Sequence, residues 1–283
     1  MLGQSPGSVG QIATLVMGAD AAWGDCAGPV APNALPQRSK VDDAAVEEIA
    51  SKIEQGGKVA FLLEHHGVDP ESLASASKIS VKTGCRLFTG TFPARVDGGP
   101  GNPEVERLPY FPEQILQTLH GLDHLILVGG QIPASFFAYR GIPGQLVPEG
   151  CSVSRLTRVE EDAADALARL ADRLGASGER VKTFEKRDTP RPTGALETKT
   201  IIQAVAATMP EGLIVATDSG GGNAAHAFCQ NSAPNSWLAL TGGAIGQGGP
   251  VATGAALACP DRPVLAMLGD GGAAYTNQSF WTQ

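Results

Sequence analysis

The sequence predicts an α/β protein: parallel sheets flanked by helices, in two successive doubly wound (Rossmann-like) domains, the second incomplete. Three observations predict it. The apolar runs at residues 59–63, 126–128 and 264–268 are unbroken and strand-sized, as in strands buried on both faces of a parallel sheet. Amphipathic stretches at helical spacing separate such runs, the alternation of βαβ units. Two such series lie on either side of a polar stretch, and 283 residues suit roughly two domains. The chain is 42% hydrophobic and 18% charged, enough apolar content for a core. Its net charge of −8 argues against a nucleic-acid partner and against a polybasic membrane surface.

The elements follow in order. Residues 11–17 read as a strand, and a Gly/Ala/Pro-rich stretch to residue 40 reads as a linker. Asp42 is a plausible N-cap for a helix with Ala45, Val46, Ile49 and Ile53 on one face, ended by Gly56-Gly57. Val59–Leu63 is a strand, Pro70–Val81 a helix and Cys85–Phe88 a strand. Phe111–Leu119 is a helix leading to strand His124–Val128, closed by Gly129-Gly130. Strand Val153–Leu156 and an Ala/Leu-rich helix, Val159–Leu174, complete a domain over 41–175. Residues 176–194 read as an interdomain linker. Then come helix Glu197–Thr208, strand Gly212–Thr217, strand Trp237–Leu240, an Ala-rich helix to Cys259 and strand Val264–Leu268. Both ends look cut, since the final helix lacks a following strand to cover it.

No apolar run approaches the ~20 residues of a membrane span. The first ten residues lack the basic-then-apolar pattern of a secretory signal. The cysteines Cys26, Cys85, Cys151, Cys229 and Cys259 are odd in number and widely spaced, which predicts reduced thiols in a cytoplasmic protein.

The chemistry concentrates in three Gly-rich turns, each after a strand and before a helix: 218–223, 243–250 and 269–272. In an open parallel sheet such turns gather at the carboxyl ends of the strands, where ligands bind. Glycine lets backbone approach a ligand, and helix N-termini offer free N–H groups, so the set suits phosphates. The P-loop pattern is absent, and residues 243–248 do not spell the dinucleotide fingerprint, which disfavours a nicotinamide dehydrogenase. No Lys or Arg lies in these turns, so an anion there needs backbone amides plus a metal. Asp270, between Gly269 and Gly271, is a candidate hard-cation ligand.

The block Leu240-Thr241-Gly242-Gly243-Ala244-Ile245-Gly246-Gln247-Gly248-Gly249-Pro250, followed by Leu268-Gly269-Asp270-Gly271-Gly272-Ala273, resembles the thiamine-diphosphate (ThDP) enzymes. The nearest group is the acetolactate synthase large subunits and their benzoylformate-decarboxylase-like relatives. The stretch Val128–Cys151 also resembles the central domain of that group. The resemblance implies that residues 1–20 are the tail of a pyrimidine-binding domain, 21–40 a linker, 41–175 the central domain and 195–283 the first part of the diphosphate-binding domain. It implies that Asp270 binds Mg²⁺ and that Gly269, Gly271, Gly272 and Ala273 contact the diphosphate of ThDP. Asp218, Ser219, Gly220 and Gly221 would flank the diphosphate from the other side. Gly243, Ala244 and Ile245 would line the cofactor, with Ile245 propping its bent shape.

The implied reaction is decarboxylation of a 2-oxo acid, followed by carboligation in a synthase or protonation in a decarboxylase; the synthase is the favoured reading. FAD is a further candidate cofactor, because the central domain of acetolactate synthases can bind it without redox use. A homodimer or homotetramer is expected, since the family's active site forms between subunits. The glutamate that activates the cofactor would precede this chain, and the second metal ligand, an Asn, would lie beyond Gln283. The chain alone is therefore expected to be inactive, and a truncated, non-catalytic interaction module is the alternative. His65, His66 and Glu64 read as loop residues. His226 could face substrate but is more simply structural, and Trp237 and Trp281 read as core residues.

Overall fold

The computed structural model describes residues 16–29, 31 and 37–283. The strand expected at 11–17 falls mostly outside these residues; Val16 and Met17 are exposed and not in a strand. A short exposed helix, α1 (Ala19–Trp23), lies in the stretch expected to be linker.

The first sheet is fully parallel, with strand order β4-β2-β1-β5-β6: β1 (Val59–Leu63), β2 (Arg86–Thr89), β4 (Glu106–Arg107), β5 (His124–Val128) and β6 (Ser152–Thr157). Every residue of β1 and β5 is buried, the polar His124 that begins β5 included. Side chains alternate across the sheet. Phe61, Leu63, Ile126 and Val128 enter one core with α2 (Asp43–Glu54), α3 (Pro70–Thr83) and α5 (Ala163–Arg173). Ala60, Leu62, Leu125 and Leu127 enter a second core with Phe88 and with Ile115 and Leu119 of α4 (Pro112–Leu119). This is the doubly wound arrangement. Helix α5 starts later than its apolar spacing suggested, because the Asp162 side chain accepts the Asp165 amide at 3.0 Å and caps it there.

The second sheet is mixed rather than wholly parallel, with order β3-β8-β7-β9. β7 (Leu213–Thr217) pairs in parallel with β8 (Asn235–Leu238) and β9 (Val264–Met267). β3 (Val96–Gly98) lies in sequence between β2 and β4 of the first sheet, yet pairs antiparallel with β8 of the second. The pairing is reinforced by side chains: the Ser236 hydroxyl donates to Asp97 at 2.7 Å, and Arg262 donates to Ser236 at 3.0 Å. Gly99 turns with φ +87°, and a Cβ there would stand 2.6 Å from the Ala233 carbonyl oxygen. Helices α6 (Thr198–Thr208) and α7 (Gly220–Cys229) pack together, while α8 (Gly248–Ala258) packs on β7 and β9.

The stretch 176–194 is not a free tether. The Lys182 amide donates to Ser77 Oγ at 2.9 Å, the Phe184 amide to the Asn102 carbonyl at 3.0 Å, and Phe184 is buried. The last segment forms α9 (Asp270–Tyr275) and α10 (Gln278–Thr282). Trp281 corrects its expected core role: it is 92% exposed, because the five-residue α10 buries only Ser279.

Phe61→Ala is expected to destabilise the protein by about 3–5 kcal/mol through lost burial and a cavity, whereas Trp281→Ala should stay within about 0.5 kcal/mol. Denaturant midpoints of the two variants check the contrast.

Candidate active site

β7 is the centre of its sheet, with β8 and β9 in parallel on either side. Parallel neighbours end on the same side, so the segments after them meet within about 10 Å, two strand spacings. Those segments are Asp218-Ser219, 239–247 and 268–269.

Asp218 sits where they meet. Its side chain is buried, and Oδ2 accepts the Gly246 amide at 3.1 Å and the Gly248 amide at 3.3 Å. Oδ1 is buried without a partner among the described residues. A Cβ on Gly272 would stand 2.9 Å from Oδ1, and one on Gly248 would stand 3.1 Å from Cγ, so both positions need glycine for backbone to reach the carboxylate. Ser219 caps α7, accepting the Gly222 amide at 3.0 Å while its hydroxyl donates to the Met267 carbonyl at 3.3 Å. The third turn is held from the other side: the Thr276 hydroxyl donates to the Gly246 carbonyl at 2.6 Å.

The expected site residues divide by position. Asp218, Ser219, Gly269 and Gly272 pack together. Gly220 and Gly221 form the first turn of α7 instead of a loop. Gly243, Ala244 and Ile245 lie exposed on the loop after β8, where Gln247 braces the base through Thr241 and the Ala239 carbonyl. Asp270 is exposed as the first residue of α9; Gly271 is exposed and Ala273 half-buried. Gly246 and Gly248 were expected only as members of the second Gly-rich turn, and their contacts, like that of Thr276, were not anticipated: partners 28–30 positions away leave no periodic signal in sequence.

This geometry fits a diphosphate held with a hard cation. No side chain caps α9, so the amides of its first turn have no side-chain acceptor from an N-cap. Nothing lies within 4 Å of a Cβ built on Gly271, so that surface is open. No group of three potential metal ligands exists among the described residues. A cation at Asp270 would therefore take most of its oxygens from its ligand and water, as Mg²⁺ commonly does.

Other titratable groups stand apart. His226 is buried edge-on against Trp237, with ring centroids 5.3 Å apart, so it does not face a substrate. Burial, with a smaller contribution from the Arg107 charge, pushes its pKa down to about 3. Glu64, expected in a loop, is half-buried at the end of β1, where its carboxylate accepts the Gln131 amide at 3.2 Å. Burial pushes its pKa up, against the opposing effects of that amide and of His65.

Residues 218–283 match the family described as thiamine pyrophosphate enzyme, C-terminal TPP binding domain. Over 274 residues the chain is 40% identical to "Putative acetolactate synthase large subunit IlvX" of Mycobacterium tuberculosis, covering 96% of this chain and 52% of that protein. It is 28% identical over 226 residues to benzoylformate decarboxylase of Pseudomonas aeruginosa, covering 74% and 39% of the two chains. The chain thus spans about half the length of the first relative and less of the second. Its fold is similar to that of a thiamine diphosphate-dependent 4-hydroxybenzoylformate decarboxylase from Rhodococcus jostii RHA1, with a TM-score of 0.67 at 19% identity, over 88% of this chain and 50% of that one.

His226 gives a pH signature. Its folded pKa lies below the unfolded value of about 6.5, so its contribution is complete above that pH and is lost as pH falls toward 3. Stability should drop by up to about 2 kcal/mol from this residue between pH 7 and 5. Unfolding midpoints should show a flatter pH dependence in His226→Phe over that window.

Proposed function

Because this chain belongs to the thiamine-diphosphate-dependent enzyme family, we propose that its three turns hold ThDP with Mg²⁺ and that it serves an acetolactate-synthase-like reaction. That reaction decarboxylates a 2-oxo acid such as pyruvate and joins the remaining fragment to a second 2-oxo acid. The observation that carries the reading is the convergence of the three turns on Asp218, with uncapped α9 amides beside the exposed Asp270. The synthase assignment draws support from the 40% identity to the mycobacterial protein. When bound, ThDP supplies a thiazolium carbon that adds to the substrate carbonyl and accepts the electrons released with CO₂.

This chain's own residues bind and orient. The amides of Gly269, Gly271 and Gly272 would meet the diphosphate, with Ser219, Gly220 and Gly221 on the opposite flank. The Ala273 amide donates instead to the Gly269 carbonyl at 2.8 Å, so Ala273 would contribute only its position beside them. Asp270 provides the metal carboxylate. Ile245, 58% exposed on the loop after β8, offers an apolar surface for the cofactor's rings. His226, buried and neutral, moves no proton in this reading. Tyr275, Phe280 and Trp281 leave an exposed apolar face near the site, which suits a homo-oligomer. A second reading, simple decarboxylation of an aryl 2-oxo acid, is favoured by the benzoylformate decarboxylase similarity over 74% of the chain.

Calorimetric titration with ThDP tests the site. Binding should require Mg²⁺, and Asp270→Ala should weaken it by about a hundredfold or more, the loss of a charged metal ligand. Unchanged affinity in that variant would remove Asp270 from the metal site.

A further inference from the structure

The crevice at the carboxyl end of the first sheet is filled from within. In the order β4-β2-β1-β5-β6 the chain builds outward from β1 to one side and then to the other, so its direction reverses between β1 and β5. Open parallel sheets take their ligands at such a reversal, with a nucleotide's diphosphate against the turn after β1 and the head of the next helix. FAD, the further candidate cofactor, would lie there. Glu64 directly follows β1, and its carboxylate accepts the Gln131 amide at 3.2 Å, across the gap to the turn after β5. Bare backbone stands on both sides of it. A Cβ on Gly90, after β2, would stand 3.1 Å from the Glu64 carboxyl carbon, and one on Gly130, after β5, would stand 2.9 Å from it. The glycines that could let a ligand approach thus make room for Glu64 instead.

The head of the next helix is no better suited to a phosphate. α3 begins after Asp69 with Pro70-Glu71, where Pro70 has no amide to donate and a carboxylate stands on either side of it in sequence. Those carboxylates already supply the negative charge that a helix N-terminus favours. The turn itself, Glu64-His65-His66-Gly67, has a single glycine, and Gly67 packs on β5: a Cβ there would stand 3.0 Å from the Val128 carbonyl oxygen.

These residues do not fit FAD. We propose that Glu64 is a built-in occupant of the crevice: its carboxylate takes the seat of a dinucleotide's phosphate between β1 and β5 and so keeps FAD out of the first sheet. The Gln131 amide, a donor that a phosphate there would use, is already engaged by a charged acceptor. A dinucleotide would have to displace that carboxylate and bring its own negative charge beside it. The inference stands apart from the ThDP reading, because no residue of the three turns in the second sheet takes part in it.

Removing the carboxylate tests this. The full chain is titrated with FAD by flavin fluorescence and with ADP, which carries a diphosphate without the flavin, by calorimetry. The parent should show no saturable binding of either up to about 1 mM, whereas Glu64→Ala should bind with a Kd at least about tenfold below that limit. The Gln131 amide should exchange with solvent at least about tenfold faster in ligand-free Glu64→Ala than in the parent, and slow again when ADP is added. Thermal unfolding shows whether Glu64→Ala folds; if it does not, Glu64→Ser, which keeps a small polar group, takes its place. Saturable FAD binding by the parent below about 1 mM overturns the exclusion. A folded Glu64→Ala or Glu64→Ser that binds neither ligand, or an unchanged Gln131 exchange rate, overturns the role of Glu64.

Discussion

The carboxyl end of the second sheet depends on one buried carboxylate. Asp218 Oδ2 accepts two amides from the loop after β8, which Thr276 and Gln247 also hold. That loop includes glycines at φ +62°, +70° and +96°, conformations that carry no intrinsic preference for this one shape. An acceptor with full negative charge makes stronger hydrogen bonds than a neutral one, and burial strengthens them further. The same interaction brings Gly248 and Gly272 so close that neither tolerates a side chain. The glycines around the site thus divide into those that turn the chain and those that make room for Asp218.

The first sheet follows a different logic, in which burial alone sets the arrangement. β1 and β5 contribute alternate side chains to two separate cores, so helices must cover both faces. Its fully parallel pairing agrees with the absence of tight hairpins between its strands. Surface ion pairs add detail to this frame, as where Arg173 of α5 meets Glu47 and Glu54 of α2, but such exposed pairs contribute little individually.

What the sequence disclosed follows from how local each signal is. Apolar strands such as Val59–Leu63 and His124–Val128, the latter apolar after its first residue, were legible because burial on both faces dictates composition. The glycine-rich turns were legible as anion-binding candidates, and Asp270 stood out as a carboxylate between glycines. β3 was not legible: Val-Asp-Gly has neither length nor alternation, and a partner about 140 residues away gives it its strand character. The Asp218 contacts were hidden for the same reason. Trp281 was misplaced because a large apolar side chain defaults to the core, whereas a five-residue helix has too little surface to bury it.

The excursion of β3 into the other sheet bears on how the chain reaches its native state. Asp97 and Ser236 are 139 positions apart, so the edge of the second sheet closes only after a very long loop has formed. Loop-closure entropy grows slowly with length, yet such distant pairing delays folding because little rewards it until late. During synthesis, Val96–Gly98 emerges well before β8 exists and must wait, an unpaired edge, while the strands around it assemble. The two sheets are therefore coupled in time as well as in space: the second sheet does not attain its finished edge from its own contiguous stretch of chain.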